Sequence, residues 1–306
     1  MDFGRFLQRT QTRATRTASY AEMVPDYYTI ATPLYRESWS DSFHLPPFQG
    51  QESVAEATQR LEHRLAEEGG FRPGWKVLDV GCGIGRPART IAACSGAQVT
   101  GITIAAPQVD IARELTAQQG LSEAVRFVHG DAMDMPFDDE EFDAAYNLQA
   151  MCHAPDKAAV HREIARVLKP GGVFLGNDWL CRDGITSEDY AQYIEPMCRT
   201  YALPNLITLG ELEHHLEQAG LRVTAIGELE GTSRNWDIFA ARAQALANRP
   251  TLTAGEEYVR QSCEALARAG RARWFVIGYW HSVKAPPAQA THGAPSADGP
   301  PRGSTP

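Results

Sequence analysis

Residues 76–85 read Lys-Val-Leu-Asp-Val-Gly-Cys-Gly-Ile-Gly. The first half is a short apolar run that predicts a buried strand, and the glycines after it predict a tight turn where a ligand can approach the backbone. Residues 86–94 have helical character, and Pro87 suits a first helical turn. A strand, a glycine turn and a helix in this order indicate the first crossover of a doubly wound sheet, where nucleotide-like ligands bind. The alternative is a glycine-rich turn that binds no ligand.

Downstream of this turn, segments rich in β-formers alternate with helical segments. Strands are expected at 98–104, 125–130, 142–148, 173–179, 221–226 and 273–283, and helices at 51–68, 108–119, 156–168 and twice within 187–219. Such alternation predicts parallel βαβ units. We therefore expect an α/β fold, a Rossmann-like, doubly wound sheet of seven strands, with an N-terminal helical cover and a helical insertion after strand five.

Three parts are expected along the sequence. Residues 1–20 form an N-terminal arm or lid helix, 21–284 a single domain with its insertion at about 184–219, and 285–306 a disordered tail of small and polar residues. On a helix, four arginines of the arm would form one basic stripe: Arg5, Arg9, Arg13 and Arg16. The arm is either a frayed terminus or a helix that docks on the active site or on a neighbouring subunit, which would give a homo-oligomer.

Composition excludes several classes of function. The net charge of −9 argues against a general nucleic-acid surface. No secretion signal is evident, and no apolar run approaches the roughly 20 residues that a membrane span needs, so we expect a cytoplasmic protein with no integral membrane segment. The six cysteines lack CxxC spacing, which favours reduced thiols over disulfides or a zinc site, and no metal site is predicted.

The glycine turn also resembles a known motif. Gly81-x-Gly83-x-Gly85, with Asp79 two residues ahead, is similar to the first motif of class I S-adenosylmethionine (SAM) methyltransferases. The resemblance implies SAM as cofactor and S-adenosylhomocysteine (SAH) as its product. Ligands of such sheets lie outside the carboxyl ends of the strands, and there Asp131 can accept a hydrogen bond from the adenine amine. The residues expected to bind the cofactor are Tyr28, Asp79, Gly81, Gly83, Gly85, Thr103, Ile104, Gln108, Asp131, Ala132, Met133, Asn147 and His153.

The second strand departs from the usual pattern of these enzymes. It ends in Thr103-Ile104 instead of the acidic residue that typically holds both ribose hydroxyls. We therefore expect Thr103 and Gln108 to bind the ribose, with Ile104 and Met133 on either side of the adenine ring.

A closer resemblance runs from about residue 27 to 226. The aromatic segment 27–44, the glycine turn and Met-Cys-His-Ala-Pro at 151–155 are similar to the C-methyltransferases that act on sterol side chains, whose equivalent of the last stretch begins with Thr. The sequence also resembles bacterial enzymes that methylate geranyl diphosphate or prenylated indole alkaloids such as the teleocidins, and indolocarbazole sugar O-methyltransferases. Two positions differ from the sterol enzymes, because Gln149 replaces a Glu and Asn177-Asp178-Trp179 replaces Tyr-Glu-Trp.

These resemblances imply SAM-dependent C-methylation of an alkene carbon in a prenylated or terpenoid intermediate of secondary metabolism, as in antibiotic biosynthesis. The reaction would pass through a carbocation that rearranges or cyclises, and a magnesium ion could accompany a diphosphate substrate. Aromatic faces stabilise cations, although about half of these rings are expected to be core. The expected catalytic residues are His153, Asp178 and Tyr20, and the expected substrate-binding residues are Tyr20, Tyr35, Trp39, Phe43, His44, Trp179, Tyr193 and Tyr201.

Three alternatives stay open at this point. The protein could be an O- or N-methyltransferase of a sugar or alkaloid, with His153 as general base. It could be a SAM-binding protein without turnover. His153 itself could be a hydrogen-bonded structural residue.

Overall fold

The computed structural model describes residues 2–286. The tail expected at 285–306 lies outside these residues apart from its first two positions. Within the described part the protein forms a mixed sheet with helices on both faces. The helices are α1 (Phe3–Thr10), α2 (Arg13–Ala18), α3 (Tyr20–Ser38), α4 (Val54–Glu68), α5 (Arg86–Ser95), α6 (Ala106–Gln118), α7 (Lys157–Val167), α8 (Ser187–Asp189), α9 (Glu195–Thr200), α10 (Leu209–Gln218), α11 (Ser233–Ala247) and α12 (Ala254–Arg271).

The sheet confirms the predicted fold class. Its seven strands lie in the order β3-β2-β1-β4-β5-β7-β6. The first five in this order are parallel, and β7 is antiparallel to both of its neighbours. The order reverses between β1 and β4, which opens a crevice at their carboxyl ends. The strands are β1 (Lys76–Val80), β2 (Gln98–Thr103), β3 (Val125–His129), β4 (Phe142–Leu148), β5 (Leu168–Cys181), β6 (Leu221–Glu228) and β7 (Phe275–Lys284).

Two glycines of the first turn are required by close packing. Gly81 has φ +83°, and a Cβ there would lie 2.2 Å from the Cβ of Ala150, in the loop after β4. Gly85 has φ +77°, and a Cβ there would lie 2.3 Å from the ring of Phe127 on β3. A side chain at Gly81 would push the loops after β1 and β4 apart, and one at Gly85 would push the turn away from β3.

The N-terminal arm differs from its prediction. Thr12 caps α2 with its side chain, which ends α1 and makes two short helices instead of one. The basic stripe is therefore wrong. Arg16 is fully buried and makes two hydrogen bonds to the Glu195 carboxylate, at 2.9 and 2.7 Å. Arg9 pairs with Asp26 at 2.7 Å. The arm is thus fixed to α3 and α9 by specific ion pairs.

Two other segments also differ from what the sequence predicts. The helices α11 and α12 were not expected, and they pack Trp236, Phe239 and Tyr258 into the core beneath α3. The fifth strand begins earlier than the expected 173–179, because α7 ends at Val167 and β5 starts directly after it at Leu168. Helices 187–219 follow β5 as expected, although the first is divided by a π-helical turn at Tyr190–Ile194.

Candidate active site

Two adjoining cavities lie at the carboxyl ends of the parallel strands. The first, of about 540 Å³, faces the ends of β1 and β2 and the loop after β3, and we name it the β2 cavity. The second, of about 660 Å³, lies between the glycine turn, the loop after β4 and α3, and we name it the aromatic cavity. Both are lined by the same five residues where they meet, so a ligand in one can reach the other: Tyr28, Gly81, Gly83, Ala150 and His153.

The structure brings most of the expected site residues to these cavities. Those that line one or both are Tyr20, Tyr28, Tyr35, Phe43, His44, Asp79, Gly81, Gly83, Thr103, Ile104, Gln108, Ala132, His153, Trp179 and Tyr201. Others lie behind the walls or elsewhere: Trp39, Gly85, Asp131, Met133, Asn147, Asp178 and Tyr193.

The β2 cavity offers polar groups for a ribose at its β2 wall. Thr103 Oγ1 lies 3.0 Å from Gln108 Oε1, and it accepts from the Ala105 amide at 3.2 Å. The Thr103 hydroxyl is therefore occupied within the protein. The buried Nε2 of Gln108 has no partner among residues 2–286. Gln108 is thus the residue with a free donor for a ribose hydroxyl.

Asp131 supports this cavity from behind. Its Oδ1 accepts from the Met133 amide at 2.9 Å and from the Tyr20 hydroxyl at 3.4 Å. Burial, with a smaller contribution from Asp131, raises the pKa of Tyr20. Tyr20 therefore keeps its proton and joins α3 to the loop after β3.

The glycine turn borders a buried carboxyl group. Asp79 is 2% exposed, and burial raises its pKa to about 7. Its Oδ2 makes no hydrogen bond of normal geometry within residues 2–286, although the neighbouring Tyr146 hydroxyl opposes the rise in the pKa of Asp79. A Cβ on Gly83 would meet nothing nearer than the Phe43 ring at 3.9 Å, so the turn is open to the cavity there. A free amide at Gln108, a free carboxyl oxygen at Asp79 and open backbone between them fit SAM, which carries ribose hydroxyls and an ammonium group.

Tyr28 and His153 form a hydrogen-bonded pair where the cavities meet. The Tyr28 hydroxyl lies 3.0 Å from His153 Nε2, and His153 Nδ1 lies 3.3 Å from the Ala202 carbonyl oxygen. Only an N–H can bond the carbonyl, so we assign the proton to Nδ1, and Nε2 accepts from Tyr28. Burial lowers the pKa of His153 to about 4 and raises the pKa of Tyr28 well above its usual value. Both side chains are therefore neutral at pH 7.

Asp178 does not line either cavity. Its carboxylate accepts from the amides of Cys152 at 3.1 Å and Trp179 at 2.7 Å, and from Asn147 Nδ2 at 3.0 Å. Burial raises its pKa to about 6. The group holds the loop that carries His153, and Asn147 extends the same network to that loop's backbone.

Gln149 is a site residue that the sequence did not assign. Its Oε1 accepts from the Leu45 amide and from Trp179 Nε1, both at 2.8 Å. Its Nε2 donates to the Leu45 carbonyl at 2.9 Å and to Asn177 Oδ1 at 2.8 Å. Gln149 also has φ +57°, which is unusual for a residue with a side chain. It fixes the aromatic segment over the loop after β4, and a glutamate carboxylate could make neither of the two donated bonds.

Aromatic rings form much of the second cavity. Tyr35 stacks on Phe43 at 4.9 Å between centroids, and Trp179 contacts Tyr201 edge to face at 5.0 Å. Tyr27 was not among the expected site residues, yet it lines this cavity. Two expected substrate residues pack elsewhere: Trp39 lies on Phe239 at 5.2 Å, and Tyr193 lies under the Arg268 guanidinium.

Comparison with known proteins agrees with this geometry. Residues 78–176 match the family model described as a methyltransferase domain. About a third of the chain is thus similar to a methyltransferase domain. The match covers the glycine turn, the loop after β4 and most of β5, and it agrees with the predicted class of protein.

The curated relatives of this chain include sterol enzymes. A sterol 24-C-methyltransferase of Gibberella zeae is 48% identical over 180 residues, which are 59% of this chain and 47% of that protein. The cycloartenol-C-24-methyltransferase 1 of Oryza sativa subsp. japonica is 46% identical over 168 residues, which are 55% of this chain and 49% of that protein. The chain thus spans about half the length of these relatives.

Solved structures share the fold over most of this chain. The [4+2]-cyclase SpnF is 26% identical with a TM-score of 0.73, and the alignment covers 87% of this chain and 96% of that one. A geranyl diphosphate methyltransferase in complex with GPP and sinefungin is 18% identical with a TM-score of 0.68, covering 87% of this chain and 99% of that one. At this identity the second likeness shows the fold alone.

Two features are absent from the part of the protein that the structure describes. None of the helices within residues 2–286 combines the length and apolar character that crossing a membrane requires. The same residues contain no group of three or more His, Cys, Asp or Glu arranged to hold a metal ion.

Proposed function

We propose that this protein is a SAM-dependent C-methyltransferase that methylates an alkene carbon of a prenylated or terpenoid small molecule. The aromatic cavity is the acceptor site, and the β2 cavity holds the adenosyl part of the cofactor. When bound, SAM supplies an electrophilic methyl group and leaves as SAH, while the alkene gives its π electrons to the new C–C bond and becomes a carbocation. Gln108 would hold the ribose, Asp79 the ammonium group, and the open backbone at Gly83 the part of the cofactor between them.

The walls of the aromatic cavity suit a carbocation. Electron-rich ring faces at Tyr28, Phe43 and Trp179 attract positive charge without offering a strong nucleophile. The segment that Gln149 fixes, together with α3, covers the cavity and limits water, which would trap the cation as an alcohol.

The single observation that carries the proposal is the hydrogen bond between Tyr28 and the buried His153 at the place where the two cavities meet. A base with a pKa of about 4 is poorly matched to an alcohol or sugar hydroxyl, but it is sufficient for the strongly acidic proton next to a carbocation. The Tyr28 oxygen accepts that proton while its own proton passes to His153 Nε2. The electron pair of the broken C–H bond forms the new alkene.

The other expected catalytic residues receive supporting roles in this proposal. Asp178 positions the loop of His153, and Tyr20 positions the adenosyl end through Asp131. Within the prenyl class we propose a secondary metabolite as acceptor, because Gln149 and Asp178 replace the two acidic residues of the sterol enzymes that the sequence resembles. A cation that is not deprotonated at once can then rearrange or cyclise.

The test is methyl transfer from SAM with a deuterated methyl group to a panel of acceptors. The panel contains a sterol with a side-chain alkene, geranyl diphosphate, a prenylated indole, and sugars or alkaloids that offer only hydroxyl or amine groups. The proposal expects label on carbon in an alkene acceptor. Label on oxygen or nitrogen would establish the alternative O- or N-methyltransferase. SAH binding without turnover of any acceptor would favour a binding protein.

A further inference from the structure

A third cavity, of about 430 Å³, lies among α3, α11 and α12, and we name it the α3–α12 groove. Three tyrosines line both this groove and the aromatic cavity, so they form a wall between the two: Tyr27, Tyr35 and Tyr201. The hydroxyls of Tyr27 and Tyr35 lie 3.4 Å apart across this wall. Elsewhere the groove is mostly apolar, as at Leu34 and Phe239.

One cation lines this apolar groove. Arg242 is half-buried, and among residues 2–286 its guanidinium has neither a carboxylate partner nor a hydrogen-bond acceptor. By contrast, Arg9 and Arg16 are paired with carboxylates. Burial raises the pKa of Cys263 to about 11, and the positive charge of Arg242 opposes that shift. The same charge opposes the effect of burial on the pKa of Tyr201, so the guanidinium acts on the groove and its tyrosine wall.

We infer that the α3–α12 groove binds the end of the methyl acceptor that is remote from the reacting alkene, and that this end carries an anionic group recognised by Arg242. The inference rests on the proposed function. A phosphate ester, a diphosphate and a carboxylate share the needed chemistry, which is a charge-assisted hydrogen bond to a guanidinium. The apolar portion of the acceptor would connect the groove with the aromatic cavity past Tyr35.

Tyr35 is the part of the wall that can move. It is only partly buried, and it follows Pro33 by two residues near the end of α3. Proline has no N–H to donate, so this last stretch of helix lacks a backbone hydrogen bond. Displacing this ring would open the wall, at the cost of its stacking on Phe43 and its contact with the Tyr27 hydroxyl.

The experiment measures calorimetric binding of three probes to the SAH-loaded protein: geranyl diphosphate, the matching carboxylic acid and the matching alcohol. Arg242→Gln should weaken the affinity for both anions by roughly 10-fold or more and leave that for the alcohol unchanged. The anion whose affinity falls more in Arg242→Gln is the one that the guanidinium prefers. Arg242→Lys should retain part of the affinity, and the exposed Arg222→Gln is the matched control.

Two outcomes would overturn the inference. Anion affinity that does not change in Arg242→Gln, or alcohol affinity that falls equally, would mean that Arg242 does not recognise charge on the acceptor. Methyl transfer is measured separately on the same preparations. Anion binding that depends on Arg242 in a protein without turnover would support the groove as a binding site and refute the proposed function. Turnover with anion binding that does not depend on Arg242 would support the proposed function and refute the groove as a binding site.

Discussion

The Tyr28 hydroxyl donates its hydrogen bond to His153 Nε2 at 3.0 Å, at the place where the two cavities of the site meet. The Ala202 carbonyl accepts from Nδ1 on the opposite side of the His153 ring. This contact keeps the proton on Nδ1 and leaves Nε2 free to accept from Tyr28. The pair is neutral, desolvated and next to aromatic rings. It can accept a proton from a cation, while neither member brings a formal charge to the site.

We expect the pair to act as one unit. Tyr28→Phe and His153→Gln should each lower turnover to the methylated alkene by roughly 10²–10⁴-fold, the range for general acid–base groups, and the double variant should lose little more. Tyr27→Phe is the matched control, since its hydroxyl bonds Tyr35 instead. Affinity for SAH should stay near wild type in all three single variants. If the double variant loses as much turnover as the two single variants combined, the two residues do not act as a proton relay.

Cofactor affinity should depend on pH through Asp79. An ammonium ligand prefers the carboxylate form, and burial raises the pKa of Asp79 to about 7. Affinity for SAH, measured by calorimetry, should therefore fall by up to roughly tenfold per pH unit below 7. Asp79→Asn should bind weakly and with a flat profile. A wild-type profile that is equally flat would remove Asp79 from the ammonium site.

The same group should affect the stability of the free protein in the opposite direction. Native Asp79 holds its proton more tightly than the unfolded state does, since the ordinary pKa is 3.8. Its contribution to the free energy of unfolding therefore decreases as pH rises from about 4 to about 7. Denaturant titrations of wild type and Asp79→Asn without ligand should diverge over that range, with the variant less sensitive to pH.

Filling the glycine turn should abolish SAH binding. A valine at residue 83 would occupy the open space beside Phe43, in the region that both cavities share. Gly120→Val is the matched control, because Gly120 also has a positive φ, +69°, and a Cβ there would meet nothing within 4 Å. If Gly83→Val retains SAH binding while folded, the cofactor lies elsewhere.

Gln149→Glu should loosen the cover of the aromatic cavity. The carboxylate cannot donate to the Leu45 carbonyl or to Asn177 Oδ1, so buried acceptors lose their partners. We expect a loss of about 1–3 kcal/mol in the free energy of unfolding, measured by denaturant titration. Water should also enter more often, which would raise the share of hydroxylated product. An unchanged product mixture would mean that this clamp does not control water.

The ion pair between the buried Arg16 of the arm and the partly exposed Glu195 should contribute strongly to stability. Arg16→Ala leaves Glu195 without its partner and removes the hydrogen bond to the Leu203 carbonyl, so the free energy of unfolding should fall by about 3–5 kcal/mol. Arg13→Ala, at an exposed position of the same helix, should change it little. Equal stability of the two variants would indicate a detachable arm.

The sequence was most informative where local chemistry determines the structure. Glycines at positive φ and an apolar strand before them allowed the first crossover and the cofactor edge to be predicted. The sequence was less informative about side-chain direction. A residue at the end of a strand lies near the crevice, but its side chain can point into the crevice or away from it. Successive side chains on β5 point to opposite faces of the sheet, so Trp179 lines the aromatic cavity and Asp178 lies behind it.

The missed elements have a similar physical reason. In α12 the buried face consists largely of alanine and other small residues, for example Ala265 and Ala269, which blur the apolar period, and α11 buries only four residues. Trp236 and Phe239, three residues apart, were the available signal. The role of Gln149 follows from partners about 100 and 30 positions distant in the sequence, and local patterns carry no such information.

The most direct test is the structure of the product that wild type and His153→Gln form from the same alkene acceptor, determined by NMR with methyl-deuterated SAM. We predict that both place the label on the same carbon. The wild type should release a methylated alkene, whereas the variant should accumulate the methylated alcohol that water makes from a cation left without its base. Label on oxygen or nitrogen, or a variant that forms the same alkene at the wild-type rate, would contradict the account.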